Sequence, residues 1–267
     1  MNENYNLYFE ANRSLWNKKT PVHIDSAFYN MPAFLSGKTS LNAIELEEVG
    51  DVSGKTLLHL QCHFGQDSLS WARMGAKVTG VDISDEAVNQ ARQLNTQLGL
   101  DASFVRANIY DLKENLQGQF DVIFTSYGTI GWLPDLTKWA DIIAQFLKPG
   151  GTFYIVDFHP VLWMFDEEFT HIKYSYHNTQ EPIVSESTGT YADRDAPIKQ
   201  VEYGWNHGLG EIISALTAAG LSIEFLHEYP YSPYNCFANT VQGKDGYWRI
   251  KNLENKIPML YSIRAKG

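Results

Sequence analysis

The sequence predicts an α/β fold: a seven-stranded, mostly parallel sheet with helices on both faces, an antiparallel last strand and a β-hairpin inserted after the fifth strand. Three observations predict it. From Thr56 onward, short apolar runs alternate with amphipathic stretches of helical length, the pattern of a parallel sheet with crossover helices. Helix caps and stops fall between them, at Gly75, Ser84, Gly99 and Lys148-Pro149-Gly150-Gly151. Two further apolar runs, SIEFLHEY and PMLYSIRA, finish the chain as an antiparallel pair.

Taken in order, TLLHLQ (Thr56 to Gln61) is the first strand, and a helix from Ser68 has Leu69, Ala72 and Met74 as its apolar positions before Gly75 closes it. KVTGVDIS is the second strand and ends at Asp82. Ser84 caps the next helix, whose first turn carries Asp85 and Glu86, where the helix dipole favours negative charge. SFVRANI is the third strand and FDVIFTSY the fourth; a helix from Trp139 to Leu147 then leads to TFYIVDF, the fifth. The stretch from Pro160 to Gln200 is long for a connection. Its alternating runs HIKYSYH and PIVSESTGTY flank the turn-like Asn178-Thr179-Gln180 and read as the inserted hairpin. His207 to Ala219 is a helix stopped by Gly220. The whole reads as one domain: helices and loops over 1–55, a core over 56–159, an inserted cap over 160–206, and a last helix and strands over 207–267.

Composition narrows the partners. A net charge of −10 repels nucleic-acid phosphates and anionic membranes at long range, so neither is expected. No segment has the apolar length of a membrane span, and MNENYNLYFEANRS lacks the pattern of a secretory signal. Cys62 and Cys236 make no disulfide framework. The expectation is a soluble, cytoplasmic protein. His171, His177 and His207 do not fall at metal-ligand spacing, so no metal is expected.

A parallel sheet binds ligands beyond the carboxyl ends of its strands, here Gln61 to Gly65, Asp82, Asn108, Ser126-Tyr127 and Asp157 to His159. Asp82 lies 17 residues after Gly65, where a carboxylate can accept from both hydroxyls of an adenosine ribose. A pyrophosphate would need the glycines of GxGxxG, but QCHFGQDS holds only Gly65, and Asp67 near the helix start repels phosphate. An NAD-dependent oxidoreductase is therefore the weakest reading. A phosphate-free adenosine cofactor meets no such objection.

TLLHLQCHFGQDS, VTGVDIS, RANIYDL, FDVIFTSYGTI and LKPGGTFYIVD together resemble the successive motifs of the class I S-adenosylmethionine-dependent methyltransferases, whose sheet is Rossmann-like. The resemblance spans about Thr56 to Asp157 and the last two strands. It implies S-adenosylmethionine as cofactor, with its methionine part against Gln61, Cys62, His63 and Gly65. Asp82 would hold the ribose, Ile83 the adenine face, and Asn108 with the Ile109 backbone the adenine edge. Ser126 and Tyr127 would floor the sulfonium, and Trp16 would close over it from the N-terminal helices. Where the family has an acid and two glycines, this chain has His59, Gln61 and His63. The loop must then avoid positive φ or tolerate a few kcal/mol of strain.

For the chemistry, Tyr127 orients the nucleophile or packs after its strand, and His159 is a general base or a cap before Pro160. Tyr29, His159, Tyr203 and Trp205 are candidate walls of an acceptor pocket; for the tyrosines and tryptophan, packing within the lid or hairpin is the alternative. Cys62 reads as a small buried residue with no basic partner. Acidity and the reading as a whole point to a small-molecule acceptor. A cofactor-binding protein without transferase activity is the alternative.

Overall fold

Leu57, Leu58, His59 and Leu60 are all buried, so the first strand has both faces covered, as the middle of a parallel sheet requires. The computed structural model describes residues 3–267. The chain begins with helices α1 (Glu3–Asp25), α2 (Met31–Leu35) and α3 (Ala43–Val49). Then β1 (Thr56–Leu60), α4 (Gln66–Arg73), β2 (Lys77–Asp82), α5 (Asp85–Gln97) and β3 (Ser103–Arg106) follow. Next come α6 (Leu112–Asn115), β4 (Phe120–Ser126), α7 (Leu136–Phe146) and β5 (Leu147–Phe158). The insertion holds β6 (Ile183–Thr188) and β7 (Lys199–Gly204), and α8 (Leu209–Ala218) leads to β8 (Ser222–Tyr229). A small pair, β9 (Thr240–Gln242) and β10 (Trp248–Ile250), precedes β11 (Leu260–Lys266).

The sheet runs β3-β2-β1-β4-β5-β11-β8, and β11 lies antiparallel to both its neighbours. Strand order reverses between β1 and β4, which opens a crevice at their carboxyl ends. Alternation along the strands divides the core. Leu58, Ile123, Phe153 and Ile263 meet Trp139 and Ile143 of α7 and Leu216 of α8 on one face. Leu57, Val122, Tyr154 and Val156 meet Ile44 of α3 and Trp71 of α4 on the other. Ser84 caps α5 by accepting from Ala87 N, as its position before two acids predicts. LKPGG extends β5 rather than standing as a turn, and Gly151 is required there because a Cβ would lie 2.8 Å from the Lys148 oxygen.

The inserted hairpin is present, but one expected strand is not. β6 pairs with β7, and HIKYSYH contributes only an isolated bridge between Phe165 and Ile172. Its backbone bonds locally instead, Lys173 N and Tyr174 N both donating to Met164 O at 2.7 and 2.9 Å. Asn206 Nδ2 donates to Ser175 O at 2.7 Å, and the Tyr176 hydroxyl accepts from Leu209 N at 3.0 Å. The small β9–β10 pair was not legible, since each strand has three residues.

α1 is tied down along its middle. Arg13 Nε reaches Asp85 Oδ2 at 2.7 Å, and Asn17 Oδ1 accepts from Ser84 Oγ at 2.7 Å, fastening α1 to the start of α5. Asn12 exchanges two amide hydrogen bonds with the backbone of Tyr203 in β7. α1 and the hairpin therefore form a single cover over the crevice.

Ile263, fully buried on β11 between β5 and β8, tests the packing that closes the sheet. Ile263→Ala is expected to cost about 2–5 kcal/mol in urea unfolding, with an unchanged m-value.

Candidate functional site

A cavity of about 950 Å³ opens over the carboxyl ends of β1, β2, β4 and β5, beneath α1 and the hairpin. Gln61, Cys62, His63, Gly65, Asp82 and Ile83 line one side, and Asn108, Ile109, Ser126 and Tyr127 line it further along. Trp16, Tyr29 and Trp205 stand in its wall from the cover.

Two sequence candidates are not part of that wall. Tyr203 points to the other side of β7, its ring stacked 4.6 Å from that of Tyr8, while its neighbours Glu202 and Gly204 face the cavity. Strand alternation is the reason. His159 is turned into the protein: its Nδ1 accepts from Val161 N at 3.2 Å, and its Nε2 lies 2.9 Å from Glu228 Oε1. It caps the turn after β5.

The loop after β1 adopts left-handed backbone without the glycines that usually supply it. Gln61 has φ 56° and His63 φ 51°, and Tyr127 on the facing loop has φ 48°. Each such residue costs of order 1 kcal/mol or more, and each is held by named contacts. His63 N donates to Asp82 Oδ2 at 2.8 Å, and Gln61 Nε2 donates to Thr129 O at 2.8 Å. Asp157 accepts from the backbone N–H groups of Gly128, Thr129 and Ile130, which fixes the loop that carries Tyr127. Gly65, at φ 82°, could not be replaced cheaply, because a Cβ there would lie 2.8 Å from Phe104.

Burial governs the charges. It pushes the Asp82 carboxyl up to about 6 against the pull of the Ser84, His63 and Ile83 amides, and it also raises Asp67. It presses His63 well below its ordinary value and His23 down to about 3, with Lys19 adding to both. His23 Nδ1 and His63 Nε2 lie 3.0 Å apart, so one neutral ring donates to the other. That contact leaves Nδ1 as the free nitrogen of His63. His59, where an acid was expected by resemblance, is buried against Ser68 Oγ at 2.8 Å and is held down to about 3 by burial. It is a neutral structural residue.

Several lining groups escaped the sequence reading. Lys19 is 4 % exposed, pairs with Glu202 of β7, and sits 5.0 Å over the Trp16 ring. Asp67 lines the cavity and accepts from Ser126 Oγ at 3.3 Å. Phe28, Phe158, Trp163, Tyr234 and Phe237 add an aromatic wall beyond Tyr127. Lys19, Phe28, Trp163, Tyr234 and Phe237 lie outside the recognisable strand-end motifs, and only the fold brings them there.

The residues fit a phosphate-free adenosine cofactor. Each Asp82 oxygen accepts one amide, Ser84 N to Oδ1 and His63 N to Oδ2, so each keeps a lone pair for a ribose hydroxyl. Asn108 Oδ1 accepts from Tyr110 N, and its Nδ2 donates to no described residue. Gln61 Oε1 is buried without a partner, which calls for a donor from a bound molecule. Among the described residues no group of three or more His, Cys, Asp or Glu is arranged to hold a metal ion, and no helix is long and apolar enough to cross a membrane.

Gln61→Gly is expected to change stability by no more than about 1 kcal/mol, because relief of strain offsets the lost bond to Thr129. His63→Gly is expected to cost more, since the ring packs 4.5 Å from Phe64 and 5.2 Å from Trp16. Urea unfolding of both variants measures the difference.

Comparison with known proteins agrees with this geometry. Residues 57–151 match the family model of a methyltransferase domain. A ubiquinone biosynthesis O-methyltransferase of Xanthomonas euvesicatoria pv. vesicatoria is 32% identical over 119 residues, 43% of this chain and 49% of that protein. An uncharacterised methyltransferase of Synechocystis sp. is 32% identical over 133 residues, covering 49% of this chain and 60% of that one. The chain thus spans about half the length of the curated relatives it matches. Among solved structures, a putative S-adenosylmethionine-dependent methyltransferase of Listeria monocytogenes aligns with TM-score 0.59 at 19% identity, over 84% of this chain and 95% of that one. The structure of DhpI in complex with SAH aligns with TM-score 0.57 at 16% identity, over 97% and 96%. Residues 57–151 match a methyltransferase-domain model, and the chain shares its fold with S-adenosylmethionine-dependent methyltransferases of known structure.

Proposed function

We propose that this chain is an S-adenosylmethionine-dependent methyltransferase acting on a small-molecule acceptor. The observation that carries the reading is Asp82, a cavity-facing carboxylate at the end of β2 with lone pairs left for a ribose, beside a loop that offers no pyrophosphate cradle. Ile83 and Ile109 would hold the adenine faces, and Asn108 its edge. Gln61 Oε1 and the Asp67 carboxylate are the acceptors available to the methionine ammonium, and the free nitrogen of His63 is available to its carboxylate. Trp16 and Tyr29 would shield the site from water. When bound, the cofactor supplies an electrophilic methyl group on a sulfonium; this chain's residues bind, align and exclude water.

The acceptor is read as small because α1 and the hairpin cover the crevice, and the net charge of −10 disfavours a nucleic acid. The whole chain acts as one unit in this reading, with 56–159 holding the cofactor, 1–55 and 160–206 covering it, and 207–267 completing the sheet. Two cysteines that form no disulfide fit a reducing, cytoplasmic setting.

Isothermal titration tests the cofactor. S-adenosylmethionine and S-adenosylhomocysteine are expected to bind and NAD is not; failure of both adenosyl ligands at millimolar concentration overturns the proposal. Asp82→Ala is expected to weaken binding roughly 100-fold, the loss of hydrogen bonds to a charged acceptor. The ribose hydroxyls need the ionised carboxylate, and burial has raised its value to about 6 in the free protein. Affinity should therefore be full above that pH and fall as pH drops below it, by up to about tenfold per unit. A flat profile in titrations repeated from acid to neutral pH would count against Asp82 as the ribose ligand. Binding without transfer to any of a broad acceptor panel would favour a cofactor-binding protein over an enzyme.

A further inference from the structure

The far wall of the cavity is a continuous belt of aromatic rings. Phe28 meets Tyr234 at 5.5 Å between centroids, Tyr234 meets Tyr127 at 4.9 Å, and Tyr127 meets Phe158 at 6.0 Å. Phe158 meets Phe237 at 4.9 Å, and Phe237 meets Trp163 at 5.7 Å. All six rings line the cavity, and Tyr127, within the belt, stands at the end of β4 where the sulfonium floor was expected. Such a surface suits a flat, apolar, aromatic body, which gains from offset and edge contacts beyond its buried area.

Midway along the belt the Tyr127 hydroxyl donates to Glu45 Oε2 at 2.8 Å. Glu45 lies on α3 and is wholly buried. Its other oxygen accepts from Asn42 N at 2.7 Å and Asn42 Nδ2 at 3.0 Å, at the start of the helix. Capping therefore accounts for one oxygen only. No cation pairs with this carboxylate among the described residues. The titratable groups that face it are Asp67 on α4, Tyr127 after β4, Tyr154 on β5 and Tyr234. Burial, with Asp67 adding to it, lifts Glu45 to about 7, a value matched to taking a proton near neutrality.

Resting on the methyltransferase reading, we propose that the acceptor is a planar hydroxyaromatic molecule seated in this belt, and that its hydroxyl proton leaves through Tyr127 to Glu45. The balance is simple. The acceptor O–H bond breaks as its proton passes to the Tyr127 oxygen, and the Tyr127 proton passes to the Glu45 carboxylate. An acceptor oxygen lone pair makes the new C–O bond, and the cofactor sulfur keeps the pair of the broken S–C bond. Tyr127 is the catalytic residue that touches the acceptor; Glu45 acts through it as a positioning and proton-accepting residue. An amine that arrives already neutral would need no such route.

The probe is 7-hydroxycoumarin, a planar phenol whose absorbance distinguishes phenol from phenolate, bound to the full chain saturated with S-adenosylhomocysteine just above neutral pH. In the unaltered protein the bound probe is expected to be enriched in phenolate relative to the free probe. Glu45→Gln keeps a carbonyl oxygen for the Asn42 amide and is expected to bind the probe with the ionised fraction reduced about tenfold. Tyr127→Phe is expected to do the same, and serves if Glu45→Gln does not fold. An ionised fraction unchanged in the variants overturns the proton route. Absence of probe binding while S-adenosylhomocysteine binds overturns the acceptor class and leaves the methyltransferase reading standing. Absence of S-adenosylhomocysteine binding defeats that reading itself.

Discussion

Two carboxylates at strand ends, Asp157 buried and Asp82 half-buried, hold the two loops from which the site is made. Asp82, ending β2, accepts from His63 N in the loop after β1 and from Ser84 N at the start of α5. Asp157, near the end of β5, accepts three successive amides after β4 and the Thr129 hydroxyl. Both stabilise backbone that would not otherwise persist, since Gln61, His63 and Tyr127 all sit at positive φ. Single contacts of about 1–3 kcal/mol, the usual worth of bonds to a charged acceptor, suffice to offset strain of similar size. Loop shape here is set by the acceptors that face it more than by the residues within it.

That exchange has a chemical result. Glycines at 61 and 63 would give the same path with no side chains, whereas Gln61 and His63 bring polar groups into the cavity. Gln61 uses its amide nitrogen on Thr129 and leaves a buried oxygen without a partner. His63 rests against His23 and keeps one nitrogen free. The cost in backbone strain is returned as side-chain recognition only if a ligand meets those atoms. Asp67, on the neighbouring α4, gives the same wall a carboxylate that His59 no longer provides.

The sheet was legible because its signals are local. Alternating apolar runs, Ser84 and Gly75 marked the strands and helices and the edge where a ligand would sit. Asp82 and Asn108 followed, as they end strands. The errors share a cause, which is that the side to which a residue points depends on its neighbours. HIKYSYH alternates like a strand, yet Met164 O and Asn206 Nδ2 take its backbone groups. Tyr203 and His159 sit in the right segments but face the wrong way, one stacked on Tyr8 and the other turned to Glu228. Glu45 lies outside the strand-end motifs, and only the fold brings it to Tyr127, 82 residues away in sequence.

Cover and core also differ in how they resist opening. The core side is fixed by fully buried strands, while α1 meets the hairpin through the Tyr8–Tyr203 ring stack and a few polar contacts, among them Asn12 with Tyr203 and Lys19 with Glu202. Lys19 is nearly buried, so separating that pair without solvent would strand a charge, a cost of several kcal/mol. Water entering as the cover lifts removes the penalty, because both charges are then hydrated. The pair therefore opposes partial, dry displacements and permits a full, wet opening.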